Sequence, residues 1–213
     1  MSEVQLGRGS RVLDLCCGNG RHSAQIAQRV ARVVGLDRSM DLLDVATRRG
    51  EATVDWVRGD MRRLPFVEVF DLVVNLFTSF GYFESDQVDR MVLSEIDRVL
   101  TPGGVAVLDI MNASRVRTTL VPESHTTRQG WEIHERRRLT EGESRVEKEV
   151  RLVDSHGRVT EWKESVRLHD QGSIEALTER TSLNVDAVFG SMAGGVFDEN
   201  SERMVVFLKK RAS

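Results

Sequence analysis

Cysteine is almost missing from this chain. Of 213 residues, two are cysteines, Cys16 and Cys17, and they are neighbours. Adjacent cysteines rarely bond each other and cannot staple distant segments. A disulfide framework is therefore excluded, and a reducing compartment, the cytoplasm, is expected. No apolar run approaches the roughly 18 residues of a membrane-crossing helix, and no signal-peptide pattern opens the chain. There are three prolines, no internal repeat and no low-complexity tract. Strong charge is also lacking: 30 basic against 33 acidic residues leave a formal net charge of −3, which argues against a nucleic-acid backbone binder. The hydrophobic fraction of 40% and charged fraction of 30% suit one α/β domain with a sizeable core.

What is present is alternation. Strand candidates are Arg11–Cys16, Arg32–Asp37, Thr53–Arg58, Phe70–Asn75 and Gly104–Met111. All are short, Val/Leu-rich and apolar on both faces, as parallel strands covered by helices should be. Helical segments fall between them. One covers Arg21 to Arg29. Another follows the N-cap candidate Ser39 and stops at Gly50. A third carries Val88, Met91, Val92, Ile96, Val99 and Leu100 at helical spacing and ends at Thr101-Pro102-Gly103-Gly104. This pattern predicts a doubly wound, mostly parallel sheet. After Asn112 the text changes. From about Trp131 to Leu168, alternating apolar positions and turns at Gly142 and Asp154–Gly157 predict about three antiparallel strands. Gln171–Thr181 reads as a helix, and Asn184–Phe189 and Arg203–Lys209 as two last strands. The expectation is a single domain over 1–213 with a β insertion at about 113–170.

In such a sheet the ligand lies at the carboxyl ends of the strands. The first strand ends in Cys16-Cys17-Gly18-Asn19-Gly20, a glycine-rich turn whose bare backbone admits a ligand at a helix N-terminus. Asp37 ends the second strand, where an acid accepts from two ribose hydroxyls. Asp60 follows the third, placed for an exocyclic adenine amine, with Met61 beside it to pack on the ring. Two acids, one for ribose and one for base, fit an adenosine without a pyrophosphate.

With these residues the chain resembles the class I S-adenosylmethionine-dependent methyltransferases. Val12–Ser23, Asp37, Asp60-Met61, Asn75-Leu76-Phe77 and Arg98–Gly104 match that family's motifs in order and spacing. The run Asn75–Phe83 is closer still to small-molecule enzymes such as amino-sugar and glycine/sarcosine-type N-methyltransferases. The resemblance implies a Rossmann-like sheet of order 3-2-1-4-5-7-6 with strand 7 antiparallel. It also implies S-adenosyl-L-methionine as cofactor. By the same resemblance Asp14 holds the loop or the methionine amino group through water, and Gly18 and Gly20 admit the methionyl part. Asp37 binds ribose, Arg38 and Met40 flank ribose or adenine, Asp60 and Met61 hold adenine, and Leu76 reaches the amino group through its carbonyl. Cys16, Asn19 and Asn75 belong to the same cofactor site.

Methyl transfer is displacement at an activated sulfonium, so the protein mainly aligns a nucleophile, and no residue is assigned as catalytic. No metal-ligand set is assigned either. Substrate-facing candidates at the active edge are Arg21, Tyr82, Asn112 and Trp131; His22 and His134 are weaker ones. Relatives of this family carry a few tens of residues before the first motif. Here Asp14 comes so early that cover from elsewhere is expected, and a homodimer using the β insertion is the expected source. The reading is methyl transfer to a small-molecule nitrogen or oxygen, with no membrane partner. Alternatives are a non-catalytic cofactor-binding subunit, an RNA-modifying enzyme, and an NAD(P)-dependent oxidoreductase. The last is disfavoured because Ser23 stands where the third glycine of G-x-G-x-x-G would be.

Overall fold

A computed structural model describes residues 6–30, 32–50 and 53–212. The chain alternates β1 (Arg11–Leu15), α1 (Arg21–Ala27), β2 (Arg32–Asp37), α2 (Met40–Thr47), β3 (Val54–Arg58), β4 (Phe70–Asn75), α3 (Asp86–Val99) and β5 (Leu100–Met111). Then come α4 (Ala113–Thr119), four strands β6 (Glu123–Arg128), β7 (Trp131–Leu139), β8 (Arg145–Val153) and β9 (Val159–Arg167), α5 (Gln171–Thr178), β10 (Leu183–Phe189) and β11 (Arg203–Lys210). Among the described residues one sheet has seven strands in the order β10-β11-β5-β4-β1-β2-β3. β1 to β5 pair in parallel, while β11 runs antiparallel to both β5 and β10. This is the order that the family resemblance implies, with β11 as the reversed strand.

Apolar residues on both faces of the strands make two cores. One, around Leu13, Leu15, Val73 and Leu108, takes the buried faces of α3 and α5. The other, around Val12, Val33, Leu72 and Val205, takes α1. Right-handed crossovers put successive helices on a common face while the chain moves in one direction across the sheet, then on the other when it reverses. The reversal lies between β1 and β4, and the loops that follow those strands open together there.

The insertion departs from the expectation in three ways. It has four strands rather than three, because Glu123–Arg128 contains no apolar residue to signal β6. Its entry is a helix, α4, capped by Asn112. It docks through charged groups: Arg145 Nη1 donates to the Phe83 carbonyl at 2.8 Å, and Arg167 Nη2 to that of Glu84 at 2.6 Å. Arg167 and His169 also converge on Asp89, a fully buried acid of α3, at 3.4 and 3.2 Å. On the outer face, ion pairs cross the strands at Glu123–Arg136, Arg138–Glu147, Arg151–Glu161 and Glu149–Lys163.

Element ends also differ. α3 stops at Val99 and β5 begins at once with Leu100. Thr101–Gly104 form a bulge inside the strand, where Gly103 has φ +78°. α1 ends at Ala27 and α5 at Thr178, earlier than Arg29 and Thr181. The chain leaves α5 where Thr178 and Thr181 hydroxyls take carbonyls of the last turn and Ser182 N–H donates to Asp97.

Candidate active site

The loop after β1 turns through three left-handed residues, Cys16 (φ +64°), Gly18 (+55°) and Gly20 (+74°). Asp37 holds it in place. One carboxylate oxygen accepts from Gly18 N–H and the other from Ser39 N–H, each at 2.8 Å. Each oxygen keeps one acceptor position, so the group can still receive two hydroxyls. A Cβ on Gly18 would meet nothing within 4 Å, which leaves open space on that side of the loop. Under Gly20 there is none. A Cβ there would lie 2.3 Å from the Trp56 indole, and one on Gly35 would lie 2.5 Å from the same ring. Trp56, which sequence reasoning overlooked, is the floor of the loop.

Asp14 lies beneath the loop, almost fully buried, and accepts the Ser23 hydroxyl at 2.5 Å. Burial pushes its carboxyl up to about 6 against the lowering effect of the Ser23 bonds. Cys16 Sγ sits 3.6 Å from Met61 Sδ, and burial, reinforced by Asp37 and Asp14, pushes the thiol up to about 12. It stays protonated and unreactive at neutral pH. Asn75 donates to the Leu15 carbonyl at 2.9 Å, while its Oδ1 is buried with no partner.

Other assigned groups are already engaged. Both Asp60 oxygens accept from Arg62, the shortest bond being 2.6 Å, and these bonds hold its carboxyl below the usual range. An adenine amine there must share the carboxylate with Arg62. The Leu76 carbonyl accepts the Ser79 hydroxyl, that of Asn19 accepts from Arg49, and that of Arg38 from Arg58. Met40, half exposed, opens α2.

The loop after β4 is the second wall. Phe77 and Thr78 are consecutive non-glycine residues with φ +55° and +60°. Such residues cost on the order of 1–3 kcal/mol each and persist where surroundings fix them. Buried Asp109 of β5 does so. Its carboxylate accepts from Phe77 N–H at 2.9 Å and its carbonyl from Thr78 N–H at 2.8 Å. Arg203 of β11 closes the unit, donating to the Asp109 carboxylate at 2.7 Å and to the Thr78 hydroxyl at 2.6 Å. Phe77 is thereby presented outward, 60% exposed, stacked on His22 at 4.8 Å with the Arg21 guanidinium 5.3 Å from its ring. Burial, then Arg21, lowers the His22 pKa and favours the neutral ring.

Beyond this loop a cavity of about 490 Å³ lies between α4, β8, β9 and the Phe77–Tyr82 segment. Tyr82, Phe77, Arg115, Lys148 and Glu164 line it. Gly81 (φ +93°) lets the segment meet β9, where its carbonyl accepts from Arg167 N–H at 2.8 Å. The Tyr82 phenol pKa is raised by burial first, then by Glu164 and Cys16. Glu164 is tied to Lys148 and to the Trp162 indole N–H, both at 2.8 Å.

Asn112 also lines this cavity, with its amide nitrogen donating to the carbonyls of Asp198, Glu199 and Ser201 and its Oδ1 capping α4. Trp131, another expected substrate contact, does not; it sits at the outer end of the β6–β7 hairpin, six residues from the cavity residue Arg137, or roughly 20 Å along the strand. His134 lies on the outer face beside His125. Asp109 is the missed residue that left a trace in the sequence: an acid inside an otherwise apolar strand must have a partner.

A glycine loop with a ribose-competent acid, an uncharged buried amide and an adjoining cavity define an adenosyl-cofactor enzyme of the α/β class. Residues 12–104 match the methyltransferase domain family, so this part of the chain is a methyltransferase domain, with S-adenosylmethionine as its cofactor. It is 29% identical over 209 residues to the cypemycin N-terminal methyltransferase of a Streptomyces species, covering 95% of this chain and 84% of that one. It is 34% identical to the chloroplastic 2-phytyl-1,4-beta-naphthoquinone methyltransferase of Arabidopsis thaliana, over 59% of this chain and 49% of the relative. In fold it is similar to an S-adenosylmethionine-dependent methyltransferase of Clostridium acetobutylicum (TM-score 0.87, 16% identity, 98% of this chain and 87% of that one). It is also similar to an amino pentose methyltransferase of Micromonospora echinaspora (TM-score 0.69, 22% identity, 95% and 84%). Among the described residues no helix is long and apolar enough to cross a membrane.

Proposed function

We propose that this enzyme transfers the methyl group to a nitrogen nucleophile of a small molecule held in the 490 Å³ cavity. The carrying observation is Tyr82. It lines the cavity together with Phe77 and Glu164 and belongs to the loop after β4, at the same sheet edge as the glycine loop after β1. The cavity is within the range of small-molecule sites, about 300–1,000 Å³.

The cofactor supplies a methyl already activated on sulfur. Asp37 receives the ribose hydroxyls and the space over Gly18 takes the methionyl chain. Phe77 and Tyr82 exclude water and orient the acceptor. Glu164 is tied up by Lys148 and Trp162, which leaves Glu202 as the other carboxylate lining the cavity. A neutral amine needs no base, whereas a hydroxyl gains more from one. The name of one relative, an N-terminal methyltransferase, supports the same choice.

Titration calorimetry with S-adenosylhomocysteine, followed by product release against a panel of primary and secondary amines and matched alcohols, tests this. Turnover with amines is expected. Asp37→Ala should weaken cofactor binding by about 3 kcal/mol, the loss of one or two charged hydrogen bonds. Turnover with alcohols alone would overturn the nitrogen assignment; wild-type binding by Asp37→Ala would overturn the site.

A further inference from the structure

We propose that His125, Glu132 and His134 form a divalent-cation site of the zinc(II) class on the outer face of the β6–β7 hairpin. The hairpin register makes it. The turn residues Gln129 and Gly130 both have positive φ, +51° and +80°, as a two-residue type I′ turn requires. That turn pairs Arg128 with Trp131, and three pairs further along it sets His125 opposite His134. Glu132 lies two residues before His134, hence on the same face. The two imidazoles stand 4.2 Å apart, within 10° of parallel, and Glu132 Oε2 is 3.7 Å from His134 Nε2.

One ligand atom from each of the three residues lies within 4.8 Å of the others. Nitrogen and oxygen ligands at about 2.0–2.2 Å from zinc are roughly 3.3 Å apart in a tetrahedron, so side-chain rotation of about 1 Å closes the set. Two imidazoles and a carboxylate select zinc, nickel or copper(II) over calcium or magnesium, which take oxygen. The repulsion from the neighbouring cations is reduced, because Arg151 is paired with Glu161 at 3.1 Å and Arg136 with Glu123 at 3.2 Å. The fourth position opens on a concavity of about 580 Å³ that His125, His134, Arg151 and Glu161 line. A bound ion cross-links β6, the edge strand of the small sheet, to β7. On the opposite face β6 and β7 also meet through Ser124, Glu135 and Arg137, and Arg137 lines the acceptor cavity. The ion therefore braces that wall from behind.

The test is titration of the full chain with zinc(II) alone, in competition with a chromophoric chelator, with cobalt(II) as spectroscopic reporter. One equivalent is expected to bind with micromolar or better affinity and to raise the thermal midpoint. His125→Ala and His134→Ala should each weaken it by at least about the 10–100-fold seen for outer-shell changes, and Glu132→Gln somewhat less. His156→Ala, an exposed histidine in another turn, should change nothing. All four positions are at the surface of the hairpins, and circular dichroism checks that each variant folds. Wild-type affinity in both His125→Ala and His134→Ala overturns the proposal. So does a cobalt–thiolate charge-transfer band, which would place the ion on Cys16 or Cys17.

Discussion

Gly18 and Gly20 are one residue apart and share a left-handed backbone, yet they should fail in different ways when replaced by alanine. A non-glycine residue in that conformation costs about 1–2 kcal/mol. At Gly18 that is the whole structural cost, because the new Cβ meets nothing within 4 Å. At Gly20 the Cβ would fall 2.3 Å from Trp56 Cη2 and 2.9 Å from Ala46 Cβ. Gly35 also packs against this ring, its own Cβ position lying 2.5 Å from Trp56 Cζ3. Overpacking of this kind adds about 1–3 kcal/mol, so Gly20→Ala should lose roughly 2–5 kcal/mol in total. Urea unfolding should therefore show a mild loss for Gly18→Ala and a severe one for Gly20→Ala. S-adenosylhomocysteine titration should show the reverse emphasis: Gly18→Ala keeps its fold but loses affinity, because its methyl takes the ligand's space. Adding Trp56→Val should recover the overlap part only for Gly20→Ala, a coupling of about 1–3 kcal/mol in a double-mutant cycle. Equal unfolding losses at the two glycines, or wild-type affinity in Gly18→Ala, would refute the geometry.

Asp109→Asn should lower stability by about 2 kcal/mol in urea titrations, the loss of a charged bond to Arg203 and a weakened hold on Phe77 N–H. Asp14 gives a pH test. Its carboxyl rises from 3.8 to about 6 on folding, so below 3.8 both states hold the proton and there is no effect. As pH climbs through that window the unfolded chain ionises first, and stability falls. By pH 7 the difference amounts to roughly 3 kcal/mol against folding. Wild type minus Asp14→Asn should therefore slope downward from pH 4 to 6; a flat difference would contradict the shift. Tyr82→Phe should raise the acceptor KM about tenfold while leaving S-adenosylhomocysteine affinity unchanged, as expected for a group that lines the acceptor cavity.

The parallel sheet was legible because its strands are apolar on both faces and end in turn residues, and helical spacing filled the gaps. The glycine loop and Asp37 were legible because a tight turn and a strand-end acid are local features. What escaped depended on distance in the chain. Phe77 and Thr78 carry no mark of a left-handed backbone; it is imposed by Asp109 and Arg203, 32 and 125 residues away. Trp56 looks like any strand residue until two glycines are laid against it. β6 escaped because it is polar throughout and owes its place to pairing with β7. Asn112 was named because it follows the fifth strand; it lines the cavity, but its bonds to the Asp198–Ser201 loop come from some 86 to 89 residues away.

The ion pairs on the outer face of the insertion also bear on how the strands find each other. β8 and β9 pair so that Glu149 meets Lys163 and Arg151 meets Glu161. A slip of one residue would turn either Val146 and Val150 of β8 or Val166 of β9 to solvent. A slip of two keeps them inside but sets Arg151 against Lys163 in one direction and Glu149 against Glu161 in the other. Like charges directly opposite are unfavourable. The surface of this sheet thus proofreads its own assembly: the hydrophobic pattern rejects odd misalignments, and the charges reject the even ones that hydrophobicity alone would accept.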